Sequence, residues 1–393
     1  MSISKAILDV LEQSSWIRKM FEEGIQLKKE FGEKNIFDLS LGNPLLEPPE
    51  KFKKKLIELS NSDEKGLHRY MPNQGFQSTR EKVANSLAKE SNFPITSEEL
   101  IITTGAAGGV NAILKSILNP NDEIIVFSPF FVEYLFYIKN HNGIPVIAKT
   151  DENFFPDLSD LSKKITKNTK GIIINSPNNP TGVLYPMKII EKIGEILSSK
   201  EKELGTEIYL ISDEPYRKII FDNKKYPFIF PHHDRSIVVT SHSKDLGLAG
   251  ERIGYIALSP KDKDKQVLYD ALVFSLRTLG HVNATAIMQK SIEDIQEESV
   301  DINVYKQKRD YIYDELIKIG YECVKPDGAF YLFPKSPIED DAKFVRILQN
   351  SKVLTVPGRG FGLAGYFRIS YSVDDWVLKG SIEGFKKAFE SIK

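Results

Sequence analysis

"TSHSKDLGLAGERIGY", residues 240–255, brings a lysine to the point where a β-branched run, "SIVVT" (236–240), gives way to a glycine-rich loop. Serines stand one and three places before Lys244, and Arg252 stands eight places after it. Burial disfavours the charged form of a lysine, so one placed at the end of an apolar strand is costly unless chemistry uses it. The hydroxyls, glycines and second cation beside it are groups that let a backbone approach an anion and hold it.

Length and composition set the bounds. At 393 residues the chain is long enough for two domains, or for one large domain with a smaller partner. Its 41% hydrophobic and 27% charged residues are ordinary for a globular protein. A formal charge of −1, from 53 basic and 54 acidic residues, gives no electrostatic reason to expect nucleic acid or an anionic membrane as partner. The single cysteine, Cys323, excludes an intrachain disulfide and a cysteine-based zinc cluster. The six histidines show no metal-ligand spacing, and His232-His233 beside Pro231 reads as a surface turn. No metal is expected. Neither a secretion leader nor an apolar stretch of membrane-spanning length is visible, so the expected location is the cytoplasm.

Through the middle of the chain, short β-branched runs alternate with helix-like segments. Strands are expected at 100–104, 123–128, 144–149, 171–176, 207–212, 236–241 and 252–258, with helices over 106–118, 131–140 and 186–199. Strands too apolar to have a wet face argue for a mainly parallel sheet sandwiched by helices. Only about ten residues separate the last two strands, fewer than a parallel crossover needs, so the last strand should run antiparallel and the sheet be mixed. After about residue 295 the pattern changes to a charged helix (300–319), short strands around "GYECVK", "GAFYLF" and "YFRISYS", and a terminal helix. The expected division is a large α/β domain over 44–295 and a smaller α+β domain from 1–43 and 296–393, the N-terminal helix (about 5–30) packing with the latter.

Open α/β sheets bind ligands beyond the carboxyl ends of their strands. After the first strand comes "GAAGG", placing Gly105, Ala106 and Ala107 at a helix start where backbone amides meet an anion. After the second comes Phe131, and after the fourth "PNNPTG" with Asn179. Asp213 and Tyr216 follow the fifth; Ser241, Ser243, Lys244 and Arg252 follow the sixth. Each has a bland reading as turn, packing or helix start, but all fall at one sheet edge. Together they suit a ligand with a phosphate, a protonated ring nitrogen, a phenolic oxygen and an aldehyde: pyridoxal 5'-phosphate. Lys244 would form the Schiff base, and Arg252, Ser241, Ser243 and the amides of 105–107 would hold the phosphate. Asp213 would keep the ring nitrogen protonated, Asn179 and Tyr216 would bond the phenolic oxygen, and Phe131 would stack on the ring.

"SHSKDLGLAGERIGY", "DEPY", "NPTG" and "HRYMPNQG" in this order and spacing resemble the class I/II aminotransferases, of the aspartate aminotransferase fold type. That resemblance implies an α/β fold of type I among pyridoxal-phosphate-dependent transferases, and ping-pong transfer of an amino group between an L-amino acid and a 2-oxo acid. It implies that Arg368 in "YFRISYS" binds the substrate α-carboxylate and that Gly42 and Asn43 in "LSLGNP" lie in a loop closing over the substrate. It also implies a homodimer with shared active sites, in which Tyr70 reaches the phosphate of the neighbouring subunit. Two positions depart from the family: Phe131 stands where a bulkier tryptophan or tyrosine is common, and Ser243 is variable among relatives. For the substrate, Arg277, which lies 33 residues after Lys244, is close to where aspartate aminotransferases carry the arginine for a distal carboxylate. Arg18 and Lys19 are weaker rivals, and a water-facing Arg277 is the ordinary fate of an arginine. Aspartate or glutamate is the expected donor. An alanine- or aromatic-preferring aminotransferase, or a β-lyase on the same platform, remains the alternative.

Overall fold

Runs of Ile, Val and Leu form one seven-stranded sheet: β1 (Leu100–Thr103), β2 (Glu123–Phe127), β3 (Ile144–Ala148), β4 (Thr169–Asn175), β5 (Tyr209–Asp213), β6 (Ser236–Ser241) and β7 (Gly254–Leu258). The computed structural model describes residues 2–392, the side chains of 6, 9, 10 and 12–21 excepted, so those of Arg18 and Lys19 lie outside the described residues. Across the sheet the order is β1-β7-β6-β5-β4-β2-β3. β7 runs antiparallel to both β1 and β6, and every other pair is parallel. The short β6–β7 connection forces that reversal, as expected from its length.

β1, β6 and β7 are buried at every residue, which is why their sequences show no polar alternation. β3 departs from the expectation of fully covered strands. It is an edge strand in which Ile144 and Ile147 are exposed, whereas β1, at the other edge, is buried throughout.

Helices α1 (Gly105–Ile117), α2 (Glu133–Asn140), α3 (Met187–Leu204) and α4 (Lys265–Thr278) are amphipathic, with apolar residues three and four apart. Ile113 and Leu114 of α1 share one core with Leu272 and Leu276 of α4 and with Val239 and Ile256 of the sheet. A Cβ on Gly109 would lie 2.6 Å from Cγ2 of Val239, so this glycine is what lets α1 rest directly on β6. Full burial of each such Leu or Ile stabilises by about 1.5–3 kcal/mol relative to exposure.

This sheet and its helices belong to a unit made of Pro44–Ile302 and Pro326–Ala329. A second unit comprises Met1–Asn43, Asn303–Lys325 and Phe330–Lys393. The division falls at 302 rather than the expected 295, because Val300 N–H donates to the Asp245 carbonyl at 2.7 Å and keeps that stretch with the sheet. In the second unit Val356–Pro357, Phe367–Ser370 and Tyr331–Leu332 form a three-stranded antiparallel sheet, and Phe37–Asp38 pairs in parallel with Val353–Leu354. The expected strand at "GYECVK" is absent. There the chain is held by a side chain instead: Tyr321 packs among Phe344, Phe367, Phe385 and Phe389 and donates its hydroxyl to the Phe385 carbonyl at 3.0 Å. His233 also departs from the expected surface turn, being buried with Nε2 2.7 Å from the Ile208 carbonyl. No described helix is long and apolar enough to cross a membrane.

Leu272→Ala empties a site at the α1–α4 contact and is expected to destabilise the sheet unit by about 2–5 kcal/mol. A urea midpoint unchanged from wild type would show that this contact is not part of the core.

Candidate active site

Direction within the sheet decides which residues can meet. β1, β2, β4, β5 and β6 all point the same way, so their carboxyl ends lie along one edge. β7 starts at that edge, where Gly254 pairs with both Thr103 and Ser241. Gly105, Phe131, Asn179, Asp213, Tyr216, Lys244 and Arg252 each follow or precede one of these ends within a few residues.

At the end of β5, Asp213 is buried. Its Oδ2 accepts a hydrogen bond of 2.5 Å from the Tyr134 hydroxyl, while Oδ1 is buried and has no partner. Burial pushes the carboxyl up to about 7; the Tyr134 bond draws it back, and the charge of neighbouring Glu214 adds to the rise. Burial also raises the Tyr134 phenol well above its ordinary value, so it is a neutral donor. A lone buried oxygen on a carboxyl of this kind calls for a proton donor facing it, ideally a cationic one.

Asn175, at the end of β4, ties the neighbouring loop to the same place. Its Nδ2 donates to the Asp213 carbonyl at 2.9 Å, and its Oδ1 accepts from the Asn179 N–H at 2.8 Å. Asn179 and Tyr216 are both buried. Phe131 is half-buried, with its ring edge-on to Tyr134 at 5.5 Å between centroids.

An anion cradle lies at β1 and β7. Gly105 opens α1 at φ +78°, and a Cβ there would lie 3.0 Å from Nη2 of Arg252. Glycine leaves that space open next to a guanidinium, at the amide-bearing end of a thirteen-residue helix with no acid in its first turn. Ala106 and Ala107 occupy that turn, half-buried. The Arg252 backbone is itself left-handed, at φ +52°, and its Nη1 donates to the Ala249 carbonyl at 2.8 Å. Ser241 and Ser243 are buried, and Lys244 sits half-buried on the one-turn helix His242–Asp245.

In the second unit, the guanidinium of Arg368 lies 4.7 Å from the ring centroids of both Tyr331 and Phe361, and its Nη2 donates to the Ser40 carbonyl at 2.7 Å. A Cβ on Gly42 would come within 2.0 Å of the Tyr331 hydroxyl oxygen, so this loop needs glycine. The Asn43 carbonyl accepts from the Ser372 hydroxyl at 2.6 Å.

Within the sheet unit, two further predicted residues are exposed side chains. Tyr70 is fully exposed, on a cleft it shares with Leu56, Met71, Glu251 and Met288. Arg277 is exposed on α4, its guanidinium 5.1 Å from the ring centroid of exposed Phe274.

Comparison with known proteins gives the family. The sequence model described as "Aminotransferase class I and II" matches residues 34–383. This chain belongs to the class I and II aminotransferases. A Methanocaldococcus jannaschii relative named "Probable aspartate aminotransferase" is 33% identical over 91% of this chain and 94% of its own length. An Aquifex aeolicus relative named "Probable aspartate/prephenate aminotransferase" is 32% identical over 91% of this chain and 92% of its own. A solved aminotransferase from Eubacterium rectale superposes with a TM-score of 0.96 at 36% identity, covering 100% of this chain and 99% of that one.

Two residues bonded to this sheet edge carry no mark in the sequence. Tyr134 lies one helical turn beyond Phe131, and only the partner carboxylate across the sheet distinguishes it from a core tyrosine. Asn175 reads as the polar end of a strand, and its two bonds appear only once β4 and β5 are side by side. A buried Glu214–Arg217 pair, 3.0 Å apart, was equally unmarked.

The carboxyl of Asp213 binds its proton more tightly folded, at about 7, than at its ordinary value of 3.8. Between those values the folded state therefore holds more protons than the unfolded one. The stability that Asp213 contributes is full below about pH 4 and is lost as pH rises through 7. The melting temperature of the cofactor-free protein should accordingly fall across that window, and Asp213→Asn should flatten the fall. A wild-type profile retained in the variant would place the titration elsewhere.

Proposed function

We propose that this aminotransferase uses pyridoxal 5'-phosphate to move an amino group from aspartate or glutamate to a 2-oxo acid by a ping-pong cycle. The observation that carries the reading is the buried, half-satisfied carboxyl of Asp213 on the strand edge where Lys244 sits. Its partnerless oxygen fits a protonated ring nitrogen, and the open space over Gly105 beside Arg252 fits a phosphate. The cofactor, when bound, supplies the electron sink for the pair of electrons left as the substrate α-proton departs.

The chain's own residues do the rest. Arg252, Ser241, Ser243 and the amides of Gly105, Ala106 and Ala107 hold the phosphate. Asp213 keeps a proton on the ring nitrogen, Tyr134 fixes the orientation of that carboxyl, and Phe131 covers one ring face. Asn179 and Tyr216 bond the phenolic oxygen. Lys244 would hold the cofactor between turnovers, and as a free amine its Nζ would take the proton from the substrate Cα and deliver it two atoms away, to the carbon that carries the cofactor's aldehyde. Arg368 orients the substrate by its α-carboxylate, supported by the Tyr331 and Phe361 rings, and Gly42 gives the adjoining loop its close passage.

A homodimer with shared sites completes this reading. Tyr70, wholly exposed on its own chain, would serve the partner's phosphate, and Arg277 a distal carboxylate. Their exposure supports such a use, as do the names of the two relatives for the choice of aspartate. The expected setting is the cytoplasm.

Amino acids added singly to the loaded enzyme should convert its visible band to that of the amino form of the cofactor, aspartate and glutamate fastest. Arg277→Leu should slow aspartate by about 10- to 100-fold while leaving alanine nearly unchanged, the scale of one charge-assisted bond. Equal effects on both would remove Arg277 from substrate choice. Release of ammonia and keto acid without the amino form would make the protein a lyase.

A further inference from the structure

The turn that follows β5 carries Tyr216 and is closed twice. Arg217 N–H donates to the Glu214 carbonyl at 3.1 Å, so residues 214–217 form a four-residue turn with Pro215 second and Tyr216 third. The side chains of the same two end residues are bridged as well, with Nη1 of Arg217 donating to Oε2 of Glu214 at 3.0 Å. Both are taken out of water: the side chain of Glu214 is 0% exposed and that of Arg217 9%. Apolar residues of similar size would serve a core as well as a buried ion pair, so stability alone does not account for this bridge.

The bridged turn is anchored on three neighbouring elements. On β6, Glu214 N–H donates to the Val239 carbonyl at 2.8 Å, and the Thr240 hydroxyl donates to the Glu214 carbonyl at 2.9 Å. On β7, the Tyr255 hydroxyl accepts from Nη2 of Arg217 at 2.9 Å, and Tyr255 is the residue paired with Thr240. On the helix Gln77–Ser91, Glu90 lies 3.2 Å from the same Nη2 and 3.4 Å from Nζ of Lys218. Tyr216, held inside this turn, is buried. Its phenol is one of the groups that raise that of Tyr134, the donor to Asp213, which puts the two hydroxyls in one neighbourhood.

We infer that Glu214 and Arg217 are positioning residues, whose bridge fixes the turn so that the Tyr216 hydroxyl is presented to the phenolic oxygen of the cofactor. The inference rests on the cofactor reading above. A hydrogen bond donated to an ionised phenolic oxygen favours the ionised form, so a well-placed Tyr216 draws the titration of the bound cofactor to lower pH. A turn free to drift loses part of that bond, and the titration moves up.

The test is the visible absorbance of the pyridoxal-phosphate-loaded enzyme, titrated with pH. Tyr216→Phe should raise the midpoint by about one pH unit, the scale of one hydrogen bond to a charged group. Glu214→Met combined with Arg217→Met replaces the bridge by apolar side chains and leaves Glu90 its Lys218. This paired variant should raise the midpoint by about half a unit, part of the same bond. In the Tyr216→Phe background the pair should add nothing, whereas charges acting on the cofactor through space would act in both backgrounds. If the paired variant does not fold, Thr240→Val decides in its place, since it releases the Glu214 carbonyl and leaves both charges where they are. A midpoint that does not rise in the deciding variant, or a rise that persists in the Tyr216→Phe background, overturns the inference. A wild-type midpoint in Tyr216→Phe itself overturns the role given to that phenol in the cofactor reading instead.

Discussion

The site depends on one carboxylate taken out of water. Asp213 ends an apolar strand in the interior of the sheet edge, where an ionised carboxyl without partners is among the costliest groups a protein can hold. A neutral phenol offsets part of that cost, and the other oxygen is left for a ligand. This incomplete satisfaction favours a cationic nitrogen over water at this point. The neighbouring elements then only have to bring a phosphate hold and a lysine within reach of the same ligand.

The topology does so by direction. Six strands point their carboxyl ends to one edge, and the tight β6–β7 connection returns the chain to that edge with Arg252 at its start. Glycines set the closeness of approach. Gly105 leaves room beside the guanidinium, and Gly254 has the Thr240 carbonyl oxygen only 2.2 Å from where a Cβ would be. Asn175 cross-links two loops through their backbones, so the Asn179 loop and Asp213 are positioned as one piece.

The sheet was legible in the sequence because buried parallel strands are unbroken apolar runs, and the reversed strand was legible from a loop length. The position of Asp213 and Lys244 at the sheet edge needed only the order of the strands. Tyr134 and Asn175 were not legible, since their meaning lies in partners 79 and 38 residues away that only the fold brings close. "GYECVK" misled because its alternation looks like a strand, whereas Tyr321 uses it as an anchor in an aromatic cluster. His242 and Asp245 were quoted with the lysine from the start, yet nothing in their spacing revealed that both are buried and paired.

The central claim is that Asp213 exists to keep a proton on a ring nitrogen. Nitrogen-15 magnetic resonance of the enzyme loaded with ring-labelled pyridoxal phosphate tests it directly, at a pH where the free cofactor has lost that proton. The account predicts the shift of a protonated pyridine nitrogen in the wild-type enzyme, and of a neutral one in Asp213→Asn. A neutral nitrogen in the wild type, or a protonated one that survives loss of the carboxylate, would contradict it.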